Sequence, residues 1–374
     1  MTQFFFEHTG KGKTFIIAEI GTSHGGSLDK ARALIDAAAA SGADCAKFQW
    51  VYADEILHPD TGFVTLPGGQ ISLYERFREL EMPPSFYAEL KAYTESRGLI
   101  FLCSPFGIRS LAELAALAPK AIKIASPELN HFPLLEAAAA VTGEDGVPVP
   151  LILSSGVSLL EDIEKALALT ADVPNRALLH CITSYPAPEE EYNLRLLTSL
   201  SSVFGIPLGI SDHSLDPVLV PILSVACGGV VVEKHITLDN SGDGLDDPVA
   251  LTPAEFGRMV QAVRTAENQT PQEIIEQASI EYGRTRVEAV LGSGKKRLAP
   301  SEAANYRRTN RSLHFMRDLP AGAVIKEADV AVLRTEKILT PGISPEFLGQ
   351  VKGAVLAKKA VNGEGVNWEH LVER

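Results

Sequence analysis

A (β/α)8 barrel followed by a small β-rich domain is the fold this sequence predicts, and three observations carry the prediction. Over residues 1–270 a short β-type run ending in polar residues is followed by an Ala/Leu-rich helical stretch, and the unit recurs eight times. The β-type runs are almost continuously apolar, as parallel strands covered on both faces must be. From Arg311 the pattern changes to short β-type runs separated by turns, among them DLPAGAVI and KAVNGEGV.

The elements follow in order. TFIIAEIG (14–21) reads as the first strand, and SLDKARALIDAAAASG as its helix, ended by Gly42. CAKFQW (45–50) is the second strand. The segment 51–82, punctuated by Pro and Gly, interrupts the rhythm and reads as a loop over one end. PPSFYAELKAYTESRG is the next helix, with its prolines at the favoured first turn. IFLCSP (100–105), AIKIAS (121–126), PLILSSG (150–156), ALLHCIT (177–183), LGISDH (208–213) and VVVEKHIT (230–237) complete the set, each with a helical stretch behind it. Eight such units fit a TIM barrel. A doubly wound open sheet fits less well, because no Gly-rich turn follows the first strand. Residues 271–310 show few apolar periods and include GSGKKRLAPSE, so they read as an extended linker between a barrel (1–270) and a terminal domain (311–374). A domain of that size is near the lower limit for independent folding and should lean on the barrel or on a second subunit.

Composition removes several classes of function. A net charge of −13 gives no general basic face for nucleic acid, although a local cationic pocket for a small anion remains allowed. Cys45, Cys103, Cys181 and Cys227 are widely spaced in apolar runs with no CxxC pair, which suits buried free thiols in a reducing compartment. MTQFFFEHTGKGK lacks the charged-then-apolar order of a secretory signal, and no apolar run approaches a membrane span. A cytoplasmic protein without nucleic-acid or membrane partners is expected.

In a barrel, reacting groups come from the C-terminal ends of strands. Those ends here carry Glu19, Lys47 with Gln49, Ser104, Lys123 with Ser126 and Glu128, Ser154 with Ser155, Thr183 with Tyr185, Ser211 with Asp212 and His213, and His235 with Thr237. A barrel that only had to fold would not need so many polar groups at matching positions. His213 and His235 end neighbouring strands, so their imidazoles could converge on one divalent metal with positions left for water and substrate. Glu19 is a candidate third ligand or base. Lys47 and Lys123 facing one cavity would repel unless an anion lies between them, and Ser126 and Ser211 could complete a phosphate or carboxylate site. Either lysine could instead be a Schiff-base nucleophile or be salt-bridged to Glu19 or Glu128, and spacing does not separate these roles.

Six motifs in order, AEIGTSHGGS, AKFQ, KIASPELNHFPLL, LLHCITSYPAP, GISDHS and EKHITLD, resemble the sialic acid synthase family and its spore coat polysaccharide relatives. The resemblance is strong over 14–265 and extends through RRTNRSL into a terminal segment similar to the family's antifreeze-like (SAF) domain. It implies condensation of phosphoenolpyruvate with an N-acylated hexosamine to a nine-carbon 2-keto acid, with loss of phosphate. It implies Mn²⁺ or Mg²⁺ on His213 and His235, polarising the sugar aldehyde, and Glu19 contacting the metal-bound water or handling protons. Lys47 and Gln49 match the motif for the phosphoenolpyruvate carboxylate, and Lys123 and Ser126 the one around its phosphate. Ser211 and Thr183 match further donors, while Glu128, Tyr185 and Asp246 match the sugar side. Arg334 falls where a SAF arginine reaches the N-acyl group, usually from the partner of a domain-swapped homodimer.

Three departures from the family pattern fall on the sugar side. Ser23-His24-Gly25 replaces the usual xNHxG. Asn240 to Asp246 replaces an arginine- and proline-containing loop. Arg334-Thr335 replaces Arg-Pro, with a longer stretch before Pro341-Gly342-Ile343. An unusual sugar acceptor is the expectation. A lysine-dependent pyruvate aldolase and a catalytically silent sugar-binding homologue are the alternatives.

Overall fold

The computed structural model describes Phe4 and residues 12–66, 69–242, 244 and 246–371. Eight parallel strands form one sheet: β1 (Phe15–Gly21), β2 (Cys45–Trp50), β5 (Ile100–Pro105), β6 (Ile122–Ile124), β7 (Leu151–Ser154), β8 (Arg176–Cys181), β9 (Leu208–Asp212) and β10 (Val231–His235). Their order is β5-β2-β1-β10-β9-β8-β7-β6, and β5 lies beside β6, so the sheet closes on itself as a barrel. Each strand is followed by one of the outer helices Leu28–Ala40, Pro84–Ser96, Ile108–Ala116, Phe132–Ala139, Leu160–Leu169, Leu196–Phe204, Leu219–Ala226 and Pro253–Ala266. The first is capped by Ser27 and the last by a Thr252–Glu255 capping box, each satisfying otherwise orphaned amide groups.

The strand period of two sorts the side chains. Along β1, Ile16, Ala18 and Ile20 point outward into the core beneath the helices, while Phe15 and Ile17 point inward to an apolar plug with Cys45, Leu102, Ile152 and Leu179. One step further along the inward face the residues turn polar: Glu19, Lys47, Ser154, Ser211 and Glu233. The lower barrel is therefore filled with hydrocarbon and the upper barrel with charge.

Two segments differ from the sequence expectation. Residues 51–82 are not a bare loop: β3 (Phe63–Leu66) pairs antiparallel with β4 (Gly69–Ser72), flanked by short helices Ala53–Ile56 and Leu73–Arg78. These pack as a separate apolar cluster, Val51, Ile56, Leu57, Leu73 and Phe106, over one side of the barrel mouth. Residues 271–310 are not all extended. Pro271–Tyr282 and Arg284–Leu291 are helices with Ile274, Ala278, Val287 and Val290 buried against the barrel. Their apolar positions are too few for a strong period, but burying one narrow face is enough.

The terminal domain has its own core, including Leu313, Phe315, Ile325, Val351 and Val366. β11 (Arg311–Phe315) pairs antiparallel with β12 (Val330–Arg334), and isolated bridges such as Leu319–Ala360 extend the pairing. Among the described residues no helix is long and apolar enough to cross a membrane.

Three buried histidines make this fold acid-sensitive. Burial lowers the pKa of His24 to about 4, of His180 to about 3 and of His314 to about 4. The folded chain keeps them neutral, whereas the unfolded chain protonates them below about pH 6.5. The unfolded state thus binds more protons, and stability falls as pH drops from about 6.5 to about 4. Urea midpoints measured across that window should decline steadily, and His314→Gln should flatten part of the slope.

Candidate active site

The upper inward layer of the barrel lines a cavity of about 230 Å³. Its floor is a chain of alternating charges. Lys47 Nζ lies 2.8 Å from Glu19 Oε2 and 3.5 Å from Glu233 Oε1, and Lys123 Nζ lies 3.8 Å from the same Glu233 oxygen. Ser211 donates to Glu233 Oε1 at 2.9 Å, and Gln49 donates to Glu19 Oε1 at 2.7 Å. Lys123 donates to Ser154 Oγ at 2.6 Å. All four charged side chains are buried. Burial opposes the charge on Glu233, but the two lysines and Ser211 overcome it and hold its pKa at about 2. Burial likewise opposes Lys47, whose pKa is nevertheless raised by Glu19 and Glu233. Lys123 goes the other way: burial lowers its pKa because Glu233 only partly compensates.

Gly21 ends β1 at φ +56°, and a Cβ there would lie 3.1 Å from Gln49 Nε2 and 3.3 Å from Glu19 Oε1. A side chain at this position would be strained and would press on the Gln49–Glu19 hydrogen bond.

His213 and His235 stand on the adjoining wall with ring centroids 5.5 Å apart. His213 Nδ1 is 2.8 Å from the Ile182 carbonyl, which fixes the ring and leaves Nε2 for a ligand. Burial opposes its proton, but Cys181 Sγ at 3.8 Å and that carbonyl raise its pKa to about 9, so a cation would have to replace the Nε2 proton. Burial lowers the pKa of His235 despite Asp246, whose Oδ2 is 3.8 Å from Nδ1. Two imidazoles at this separation, His213 fixed by the Ile182 carbonyl, fit a shared divalent ion whose metal–nitrogen bonds are about 2 Å. Among the described residues no group of three or more His, Cys, Asp or Glu forms a ready cage, so water and substrate would complete the shell. Glu19, a candidate third ligand by sequence, is occupied by Lys47 and Gln49. Tyr185 stacks on His213 at 4.2 Å between centroids, with its ring half exposed at the mouth.

Of the residues singled out from sequence, Glu19, Lys47, Gln49, Lys123, Ser126, Thr183, Tyr185, Ser211, His213, His235, Asp246 and Arg334 all line this one cavity. Glu128 does not. It is fully buried behind the wall, where its Oε1 accepts from Arg311 Nη2 at 2.9 Å and from Arg334 Nη2 at 2.7 Å. Arg311 also donates to the carbonyls of Glu55 and Phe106, tying the terminal domain to the barrel. Burial lowers the Arg311 pKa to about 10 even beside Glu128. Glu128 is thus a positioning residue that aims Arg334, and Arg334 lines the cavity of its own chain. Asp243 and Leu245, in the altered loop before Asp246, lie outside the described residues.

Sequence reasoning missed Glu233, Cys181 and the apolar residues Val51, Phe77, Leu80 and Phe106, which also line the cavity. Glu233 was detectable: it lies two residues before His235, so a strand sends both side chains to the same face.

The NeuB family model matches residues 34–274. The chain belongs to the NeuB family. A SAF domain model matches residues 310–372 of this NeuB-family chain. The spore coat polysaccharide biosynthesis protein SpsE of Bacillus subtilis is 33% identical over 363 residues, 96% of this chain and 93% of that protein. The N,N'-diacetyllegionaminic acid synthase of Legionella pneumophila is 31% identical, covering 96% of this chain and 94% of that protein. The crystal structure of the Bacillus subtilis SpsE protein superposes with a TM-score of 0.80 at 31% identity, over 97% of this chain and 96% of that one.

Glu233 is the anion between the two lysines. Glu233→Gln leaves two buried ammonium groups with only Glu19, and should cost about 3–5 kcal/mol, the scale for breaking a buried ion pair. Urea unfolding measures it, and adding Lys123→Met should restore part of the loss.

Proposed function

We propose that this chain condenses phosphoenolpyruvate with an N-acylated hexosamine, forming a nine-carbon 2-keto sugar acid for surface polysaccharide and releasing phosphate. It is an enzyme of the sialic acid synthase type, in keeping with relatives named for legionaminic acid synthesis and for spore coat polysaccharide. One observation carries the finer reading. Two buried lysines with Gln49, Ser126 and Ser211 line a single cavity together with two buried histidines.

The residues divide the work. Lys47, held charged by two carboxylates, and Gln49 are placed to receive the phosphoenolpyruvate carboxylate, and Lys123 with Ser126 to receive its phosphate. A divalent cation, Mn²⁺ or Mg²⁺, on His213 and His235 would supply Lewis-acid polarisation of the sugar aldehyde. C3 of phosphoenolpyruvate then bonds to the aldehyde carbon, and positive charge develops at C2. Glu19 and Glu233, both lining the cavity, are the carboxylates that would stabilise this charge. Glu19 is the carboxylate placed to take the proton of the water that adds to C2, after which C–O cleavage releases phosphate. Tyr185, Asp246 and Arg334 border the acceptor. We place the enzyme in the cytoplasm, where phosphoenolpyruvate is made. A homodimer, the assembly the family resemblance implies, would have to preserve the Arg334–Glu128 contact within or between chains.

Lys123 supports a second reading. Its lowered pKa is the property of an amine nucleophile, as in a Schiff-base pyruvate aldolase. Borohydride with pyruvate would then attach label to Lys123. A synthase instead shows no adduct, loses activity to a chelator, and releases phosphate from phosphoenolpyruvate only when a hexosamine and Mn²⁺ are present. His213→Ala should lower that phosphate release by on the order of 10²-fold or more.

A further inference from the structure

β8 makes its last ladder pair at Cys181, opposite Ser211. Ile182 and Thr183 lie beyond the strand, so the peptide joining them is held only by what its own N–H and C=O can find. The carbonyl, on Ile182, lies 2.8 Å from His213 Nδ1. A carbonyl only accepts, so Nδ1 donates and Nε2 keeps its lone pair for a cation. The peptide is trans, which points its N–H away from its C=O. Whatever grips the Thr183 amide therefore acts from the side opposite His213. The grip is Glu302, whose Oε1 accepts that N–H at 2.7 Å.

Glu302 belongs to the connector, 119 positions further along the chain, and is fully buried. The same oxygen accepts from the Val157 N–H at 2.7 Å, and Oε2 accepts from the Ala299 N–H at 3.3 Å. The Val157 and Ala299 contacts tie a turn and a connector together and need no further reading. The Thr183 contact is different, because it completes a chain: Glu302 carboxylate, peptide 182–183, His213 imidazole. Hydrogen bonds in such a chain polarise one another, so the carboxylate strengthens the Ile182 carbonyl as an acceptor and with it the hold on the ring. Metal-ligating histidines commonly have the second ring nitrogen held by a carboxylate or a carbonyl, and here the two stand in series. Among the described residues His235 has no comparable hold: Asp246 Oδ2 is 3.8 Å from its Nδ1, too far for a hydrogen bond. The geometry of the pair leans on His213.

Resting on the metal reading above, we infer that Glu302 is a positioning residue for the divalent cation: through the peptide between Ile182 and Thr183 it holds the carbonyl that fixes His213. Affinity for the ion then depends on a side chain supplied from outside the barrel. Glu302 lies nine positions before Arg311, which pins the terminal domain, so seating the connector prepares His213 and docks that domain together.

The test is a titration of the full chain with Mn²⁺ in the absence of substrates, the free ion being followed by electron paramagnetic resonance. Glu302→Ala should raise the dissociation constant on the order of tenfold or more. Glu302→Met, which keeps the buried volume and lacks the oxygen acceptor, should do the same, so the result does not hang on the folding of one variant. Glu302→Gln, whose amide oxygen can accept from both N–H groups, should stay within about threefold of the unaltered chain. Asn310→Ala is the control for a merely structural role. It removes the donor to the Val157 carbonyl at 2.9 Å and loosens the connector without touching peptide 182–183. Its urea midpoint should fall while its Mn²⁺ constant stays unchanged. Unchanged Mn²⁺ affinity in Glu302→Ala and Glu302→Met, no recovery in Glu302→Gln, or an equal loss in Asn310→Ala overturns this inference and leaves the metal reading standing. If His213→Ala binds Mn²⁺ as tightly as the unaltered chain, the metal reading and this inference fall together.

Discussion

The charge chain Glu19–Lys47–Glu233–Lys123 is the interaction on which the rest of this molecule depends. Four ionisable groups are buried on the inward face of a barrel whose lower half is hydrocarbon. None of them could stay ionised there alone, because the desolvation cost of a single buried charge is several kcal/mol. Alternation of sign along the chain offsets that cost, so that Lys47 and Glu233 hold their charge, and Ser211, Ser154 and Gln49 take part in hydrogen bonds at the edges. The result is a neutral but strongly polar floor. Its dipoles are fixed before any substrate arrives, which is the condition under which electrostatics lowers a barrier rather than merely binding a ground state.

That floor was legible in the sequence to the extent that it obeys the strand period. Glu19, Lys47, Ser211, His213 and His235 each follow an apolar run at a strand end, and the structure brings them to one cavity. Glu233 carried the same signal but sits within its run rather than at the end, where an acid is easily passed over. What could not be read was anything decided by contacts between distant segments. Glu128 and Arg311 are 183 positions apart, and nothing local says that the glutamate faces away from the cavity. The wall formed by Phe77 and Leu80 was hidden for a related reason: in a segment rich in Pro and Gly, no period shows which side chains are turned toward the barrel. The helices of 271–291 were missed because each buries only a few apolar residues.

Glu128 shows how a fold can use one carboxylate twice. It neutralises Arg311, which pins the terminal domain through three elements of the barrel top, and it orients Arg334 at the cavity mouth. Docking of the domain and placement of the acceptor-side arginine are therefore one event. The domain is too small to rely on its own core alone, and the contact that steadies it is also the one that finishes the site.

The connector between the domains has a comparable double use. Glu302, fully buried, accepts hydrogen bonds from the backbone amides of Val157 and Thr183, both at 2.7 Å, and Asn310 donates to the Val157 carbonyl. Val157 is itself held at φ +44°, beside the turn that follows β7. The connector thus acts as a keystone for two barrel loops, and the barrel is not a separable module. A chain ending at Leu291 would keep all eight strands and both histidines, yet would leave the Val157 and Thr183 amides without their acceptor, so domain shuffling within this architecture must carry residues 299–310 along with the barrel.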